Sequence, residues 1–298
     1  MKILLLGSNG QLGYEATRTL FCYGDLVAVD YPDIDFTKPD QVIKFVNEVN
    51  PDLIYNAVAY TDVDKAEQEP EKAMMVNCHT PAEIAQYCKK YKVPFIHFST
   101  DYVFDGQKNA LYTEEDIPNP INVYGKTKFA GEQAIIDSQC PHVIFRTSWV
   151  YSMRAGGFVK KVINWAQNNE ELRIVDDQIG NPTWARMLAI ISTSFVAKNK
   201  NHLKQFIHDN SGVYHLAGGG YTSRFDWTKT IIEYLSQEQF LNIPKIFPAK
   251  SCEFPNSALR PLFSALNCEK FEKILSLKIP DWKISLKLLL EKQREELA

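Results

Sequence analysis

Three features of the sequence predict an α/β fold on a doubly wound parallel sheet. Short β-branched apolar runs alternate with amphipathic helical stretches, glycines cluster at the first strand-to-helix turn, and polar residues close the strands where ligands bind in such sheets. Candidate strands are Lys2–Leu6, Leu26–Val29, Leu53–Asn56, Pro94–Phe98 and Val143–Arg146, with helical patterns over Leu12–Cys22, Pro39–Val49, Pro70–Tyr91 and Tyr124–Ser138. Right-handed crossovers between parallel strands then place helices on both faces of the sheet. Residues 1–150 therefore read as a Rossmann-type domain. After that the rhythm changes: Phe158–Asn168 reads as helix, "RIVDDQIGNPTWARMLAI" as strand, loop and helix, and Pro244–Pro261 interrupts the pattern. Residues 151–298 are expected to form mainly a smaller substrate-binding lobe. No linker composition separates the two parts, so later segments are expected to return to the first domain.

Composition narrows the function classes. A chain of 298 residues can bury a large core, and 45% apolar with 23% charged residues is ordinary for a globular protein. A net charge of -3 provides no field suited to nucleic acid or an anionic membrane. Cys22, Cys78, Cys88, Cys140, Cys252 and Cys268 lie far apart without metal-type spacing, which suits thiols in a reducing compartment. The apolar run after Lys2 is too short for a signal peptide or a membrane span, so a cytoplasmic location is expected. No GxSxG or HExxH motif occurs, and His97 and His215, beside apolar strands, read as structural.

The chemistry gathers at strand ends. In "LLLGSNGQLG", Gly7, Gly10 and Gly13 stand between the first strand and helix, where glycine permits a tight turn and close approach of a pyrophosphate to free helix N–H groups. Asp30 ends the second strand, placed to accept hydrogen bonds from adenosine ribose and to repel a 2′-phosphate, which favours NADH over NADPH without deciding between them. Asp35 and Phe36 follow in a loop that could cover adenine. After the third strand, Ala57 and Ala59 are small where a backbone must come close to something. After the fourth, Ser99, Thr100 and Asp101 bring two hydroxyls and an acid to the carboxyl edge.

"NVYGKTKFAGE" then carries Tyr124 and Lys128 one helical turn apart on one face. A phenol with an ordinary pKa near 10 is a poor acid–base group at neutral pH, and a lysine four residues on supplies a cation to lower it. The spacing alone is common in helices. Its order after a glycine loop, an acidic strand end and a hydroxyl-bearing strand end makes it a catalytic candidate.

Together "GSNGQLG", "NAVAYTDVDKAE", "STDYVFDG", "YGKTKFAGE", "RTSWVY", "VDDQIGNPTWA", "GVYHLAG" and "RPLFSALN" resemble the extended short-chain dehydrogenase/reductase superfamily and, within it, the dTDP-4-dehydrorhamnose reductase family. The resemblance implies reduction, by NADH or NADPH, of the C4 ketone of a nucleotide-linked 4-keto-6-deoxysugar. It implies Tyr124 as proton donor, Lys128 as its modulator and ribose ligand, and Thr100, or Ser99 beside it, as the hydroxyl on the reacting oxygen. Gly10, Gln11, Leu12, Asp30, Asp35, Phe36, Ala59, Tyr60, Thr61 and Phe98 match positions lining the dinucleotide. Thr100, Asp101 and Trp149 match positions beside the deoxysugar, and Arg260 matches an arginine near the phosphates. A homodimer is among the assemblies the family implies. Some members are described as magnesium-dependent; Glu15 matches one acidic position, but Arg186–Ile190 carries no acid, which puts the metal in doubt.

The chain departs from the family pattern at Ser152-Met153-Arg154 and at Ser223-Arg224, where a Ser-Trp pair is frequent. A related epimerase or dehydratase is the nearest rival. Dehydratases usually carry a glutamate two residues after the threonine, where Tyr102 stands here, so elimination lacks its acid. A non-catalytic NADP-binding subunit, like the β-subunit of methionine adenosyltransferase, is the rival from another class, and retention of both Tyr124 and Lys128 weighs against it.

Overall fold

The computed structural model describes residues 1–154, 156–236, 243–255 and 257–297, with side chains described through residue 291 apart from that of Ser236. Asn256, within the proline-bearing segment, and the C-terminal limit of the expected lobe lie outside the described residues.

The chain runs β1 (Lys2–Leu6), α1 (Gln11–Leu20), β2 (Asp25–Val29), α2 (Pro39–Val49), β3 (Leu53–Asn56), α3 (Val63–Gln68), α4 (Pro70–Met74), α5 (Thr80–Tyr91), β4 (Phe95–Thr100), α6 (Val123–Ser138) and β5 (His142–Thr147). Next come β6 (Val150–Tyr151), α7 (Phe158–Asn168), β7 (Glu171–Val175), β8 (Ile179–Gly180), β9 (Thr183–Trp184), α8 (Ala185–Lys198), α9 (Leu203–Asp209), β10 (Gly212–His215), β11 (Thr222–Ser223), α10 (Arg224–Ser236), β12 (Lys245–Ala249), α11 (Glu269–Leu275) and α12 (Trp282–Leu297).

Six strands form one parallel sheet in the order β2-β1-β3-β4-β5-β10. Strands covered on both faces read as continuous apolar runs, and β3, β4 and β5 are buried at every residue. Two large apolar clusters form the core: one around Ile3, Leu5, Tyr55 and Phe145, the other around Leu4, Leu6, Ile54 and Phe95, as the alternation of side chains along each strand requires. The order reverses between β1 and β3, which opens a crevice at their carboxyl ends, where such sheets bind ligands.

The sequence pattern over 70–91 reads as one helix. The structure breaks it with a π-helical turn, Met75–His79, between α4 and α5. The cause is Asn77: its buried side chain accepts from Tyr60 N at 2.8 Å and donates to Tyr60 O at 3.2 Å and Thr127 Oγ1 at 3.1 Å. The turn thereby presses the loop after β3 against α6.

Helix α6 begins at Asn122, whose side chain accepts from Gly125 N at 2.7 Å, and ends at Gln139 in the left-handed region. It carries a fully buried glutamate, Glu132, whose oxygens accept from Arg146 on β5 at 2.6 and 3.0 Å. Breaking a buried pair strands the remaining charge in apolar surroundings, so Glu132→Ala is expected to lower unfolding free energy by about 3–5 kcal/mol in urea titration. A loss below about 1 kcal/mol would show that the pair does not anchor α6.

Candidate active site

The glycine loop after β1 has the shape that close approach demands. Gly7 has φ +87°, and a Cβ there would meet Val58 N at 2.9 Å; a Cβ on Gly13 would meet Gly7 O at 1.9 Å. No side chain caps the N-terminus of α1, so its first-turn N–H groups are left to a ligand. Asp30 stands beside the loop, its carboxylate fixed by Asn9 N and Tyr31 N, each at 2.7 Å. These features fit a dinucleotide pyrophosphate and ribose.

Other cofactor-side expectations divide. Gln11 Oε1 accepts from Ser152 Oγ at 2.9 Å, and Leu12 is buried under the loop. Phe36 is packed into the core, and the Asp35 carboxylate is engaged by Thr37 and Lys38. Ala59 and half-buried Tyr60 follow β3, with Thr61 exposed; the Tyr60 hydroxyl donates to Glu69 at 2.9 Å, and burial with that carboxylate pushes its pKa to about 12. Phe98 lies between the Tyr55 and Phe145 rings, and its carbonyl points at Lys128.

Thr100, Tyr124 and Lys128 come together where β4 meets α6. The Thr100 hydroxyl donates to Asp101 Oδ1 and accepts from Tyr102 N, each at 3.1 Å, and stands close enough to the Tyr124 phenol to pull its pKa down. Asp101 is buried; Oδ2 accepts from Ser148 Oγ at 2.9 Å and from Ser264 Oγ at 2.5 Å. Burial raises its pKa against the pull of these hydroxyls. Ser99 Oγ is buried with no hydrogen-bond partner among the described residues.

Lys128 is 1% exposed, and its ammonium donates to Phe98 O at 2.5 Å and meets His97 Nε2 at 3.2 Å. Desolvation lowers its pKa to about 8, opposed by Glu132. This corrects the expectation that the lysine brings the phenol's pKa down. Burial raises the Tyr124 pKa, Asp101 and Tyr102 add to the rise, and only the Thr100 hydroxyl opposes it. The ammonium is drawn toward β4 instead.

A cavity of about 660 Å³ is lined by Trp149, Phe158, Trp165, Arg224, Trp227 and Arg260, among others. Arg260 reaches it from a segment tied down by Asn122 Nδ2 to Leu259 O at 2.7 Å and by Asp64 to Arg260 Nη2 at 2.5 Å. Glu15 is far from metal chemistry: its carboxylate accepts from Arg186 Nε at 3.0 Å, and no group of three metal-ligating side chains occurs among the described residues. A cation already holds Glu15, so the residues do not fit a magnesium site.

A family model described as RmlD substrate binding domain matches residues 1–295. The chain belongs to this family. Among curated relatives of this RmlD family chain, the dTDP-4-dehydrorhamnose reductase of Escherichia coli (strain K12) is 39% identical over 297 residues, with 97% of each chain covered. A solved dTDP-4-dehydrorhamnose reductase from Clostridium acetobutylicum superposes with a TM-score of 0.88 at 33% identity, covering 99% of this chain and 100% of that one. The Bacillus anthracis dTDP-4-dehydrorhamnose reductase in complex with NADP gives 0.87 at 30% identity, covering 98% and 99%.

The family departures have local roles here. Ser152 ties to Gln11, while Arg154 Nε donates to Asn9 O at 3.2 Å and its guanidinium lies 4.0 Å from the Tyr14 ring centroid. Both brace the glycine loop from β6 onward. Sequence reasoning missed Asn77, Glu67, which accepts from Val123 N at 2.8 Å, and the role of His97. The one legible signal was Asn77 inside an apolar helix pattern, a polar residue placed where a solvated face was not expected.

Proposed function

We propose that the chain reduces the C4 ketone of a nucleotide-linked 4-keto-6-deoxysugar with NADH or NADPH, converting dTDP-4-dehydro-β-L-rhamnose to dTDP-β-L-rhamnose in deoxysugar and polysaccharide biosynthesis. One observation carries the reading: the Tyr124 phenol and the Thr100 hydroxyl stand beside each other at the carboxyl end of β4, so both can reach one carbonyl oxygen. The names of the relatives support the same reaction. Residues 1–150, with β10 beside them in the sheet, would hold the cofactor, and the later segments mainly the sugar nucleotide.

The loop at Gly7, Gly10 and Gly13 receives the pyrophosphate on the N–H groups of α1, and Asp30 accepts from the adenosine ribose. Bound NAD(P)H supplies the hydride to C4. Tyr124 stays protonated at neutral pH because burial raises its pKa, which is the form a proton donor needs. As negative charge develops on O4, the phenol gives that oxygen its proton and Thr100 donates a hydrogen bond to it. Lys128, still a cation below about pH 8 and held toward β4, offers an N–H to ribose hydroxyls. The phenolate then recovers a proton from solvent. Trp149 and Asp101 flank the sugar. Tyr102 has no acidity suited to elimination, since burial raises its pKa, which supports reduction over dehydration. The free thiols and the absence of a membrane-spanning helix among the described residues accord with a cytoplasmic location, which we also propose.

Tyr124→Phe is expected to cut kcat by roughly 100- to 10,000-fold while cofactor affinity, read by nucleotide fluorescence, stays within about twofold. Turnover at wild-type rate in that variant would remove the phenol from the reaction. The pH profile tests Lys128 separately. Its charge is present below its pKa and lost above, so kcat/KM should fall as pH rises through about 8. A profile flat to pH 10 would contradict the role of the charged lysine.

A further inference from the structure

Arg224 opens α10 and reaches the cavity beside Trp149. Its guanidinium carbon lies 3.5 Å from the Trp149 ring centroid, 4.8 Å from that of Phe158 and 5.5 Å from that of Trp227. The Tyr102 phenol lies near enough to this guanidinium and to that of Arg260 to act on both electrostatically. The other two arginines of the cavity have carboxylate partners: Arg260 pairs with Asp64, and Arg173 with Glu253. Among the described residues, no carboxylate forms an ion pair with Arg224. Asp101 acts on it electrostatically, but both Asp101 oxygens already accept from the hydroxyls of Thr100, Ser148 and Ser264.

An aromatic face steadies a guanidinium by cation–π attraction and supplies no counter-charge. Stacking also leaves the in-plane N–H groups directed outward, the geometry that grips a phosphate. Burial lowers the pKa of Arg224 only to about 10, so the group is a cation at neutral pH. Tyr102, beside both arginines, meets the Tyr124 ring edge-on at 5.8 Å between centroids.

We infer that Arg224 joins Arg260, on the wall of the same cavity, in a clamp on the diphosphate of the sugar nucleotide. The inference rests on the proposed substrate class.

The test is calorimetric binding of dTDP and of thymidine to the full chain with NADPH bound. Arg224→Ala should weaken dTDP by about 10- to 100-fold and leave thymidine within about twofold, with KM for the sugar nucleotide rising and kcat held. Arg224→Lys, which keeps the charge without the planar fork, should recover part of the loss. If Arg224→Ala does not fold, Arg224→Gln removes the same charge. Unchanged dTDP affinity would overturn the clamp, as would equal losses of dTDP and thymidine, which would assign Arg224 to packing Trp149 alone. A wild-type protein that binds dTDP through Arg224 but never oxidises NADPH would leave the clamp standing and remove the proposed reduction.

Discussion

Helix α6 lies so close to its neighbours that two of its residues have no room for a side chain, and the site depends on that approach. A Cβ on Gly125 would meet Tyr102 O at 2.2 Å, and one on Gly131 would meet Asn77 O at 2.1 Å. Both obstacles are backbone atoms, which cannot swing aside. With α6 held there, Tyr124 reaches Thr100 and Lys128 runs beneath the sheet edge to Phe98 O. The Glu132–Arg146 pair ties the same helix to β5 one turn further on. A looser helix would separate phenol from hydroxyl, and proton transfer tolerates little misplacement.

The site is built from charges kept out of water, each made tolerable in a different way. Arg146 has a bidentate carboxylate, Lys128 a carbonyl and an imidazole, Arg224 three aromatic rings, and Asp101 three hydroxyls. Burial pushes the pKa of Tyr124 up and those of Lys128 and Arg224 down, always toward the neutral form. For the phenol this keeps the proton in place until charge develops on the substrate. For the lysine it brings loss of charge near neutral pH, so the helix that carries the proton donor also carries a group sensitive to its surroundings.

The strand pattern was legible because a parallel sheet buried on both faces leaves continuous apolar runs: β1, β3 and α2 have the limits the sequence suggests. Thr100, Tyr124 and Lys128 were legible as types and order, and the structure brings them together. Less legible was anything set by a side chain reaching across the fold. Asn77 converts one helix pattern into two helices and a π turn through bonds to Tyr60, a partner seventeen residues away. The direction of the Tyr124 pKa was misread because helical spacing gives the position of Lys128 and not the orientation of its ammonium. β10 joins the main sheet beside β5 although 64 residues separate Thr147 from the strand's start, a pairing no local pattern encodes.

The central claim is that this close-packed helix serves ketone reduction on a nucleotide-linked deoxysugar. The most direct measurement is the reduced-nicotinamide absorbance of the purified chain mixed in turn with dTDP-4-dehydro-L-rhamnose and with other keto-sugar nucleotides. Rapid loss of the band with the dTDP-4-keto-6-deoxysugar, and little with the others, is the predicted result. A band that persists with every substrate, while NADPH and dTDP still bind, would contradict the account and assign the fold to binding without chemistry.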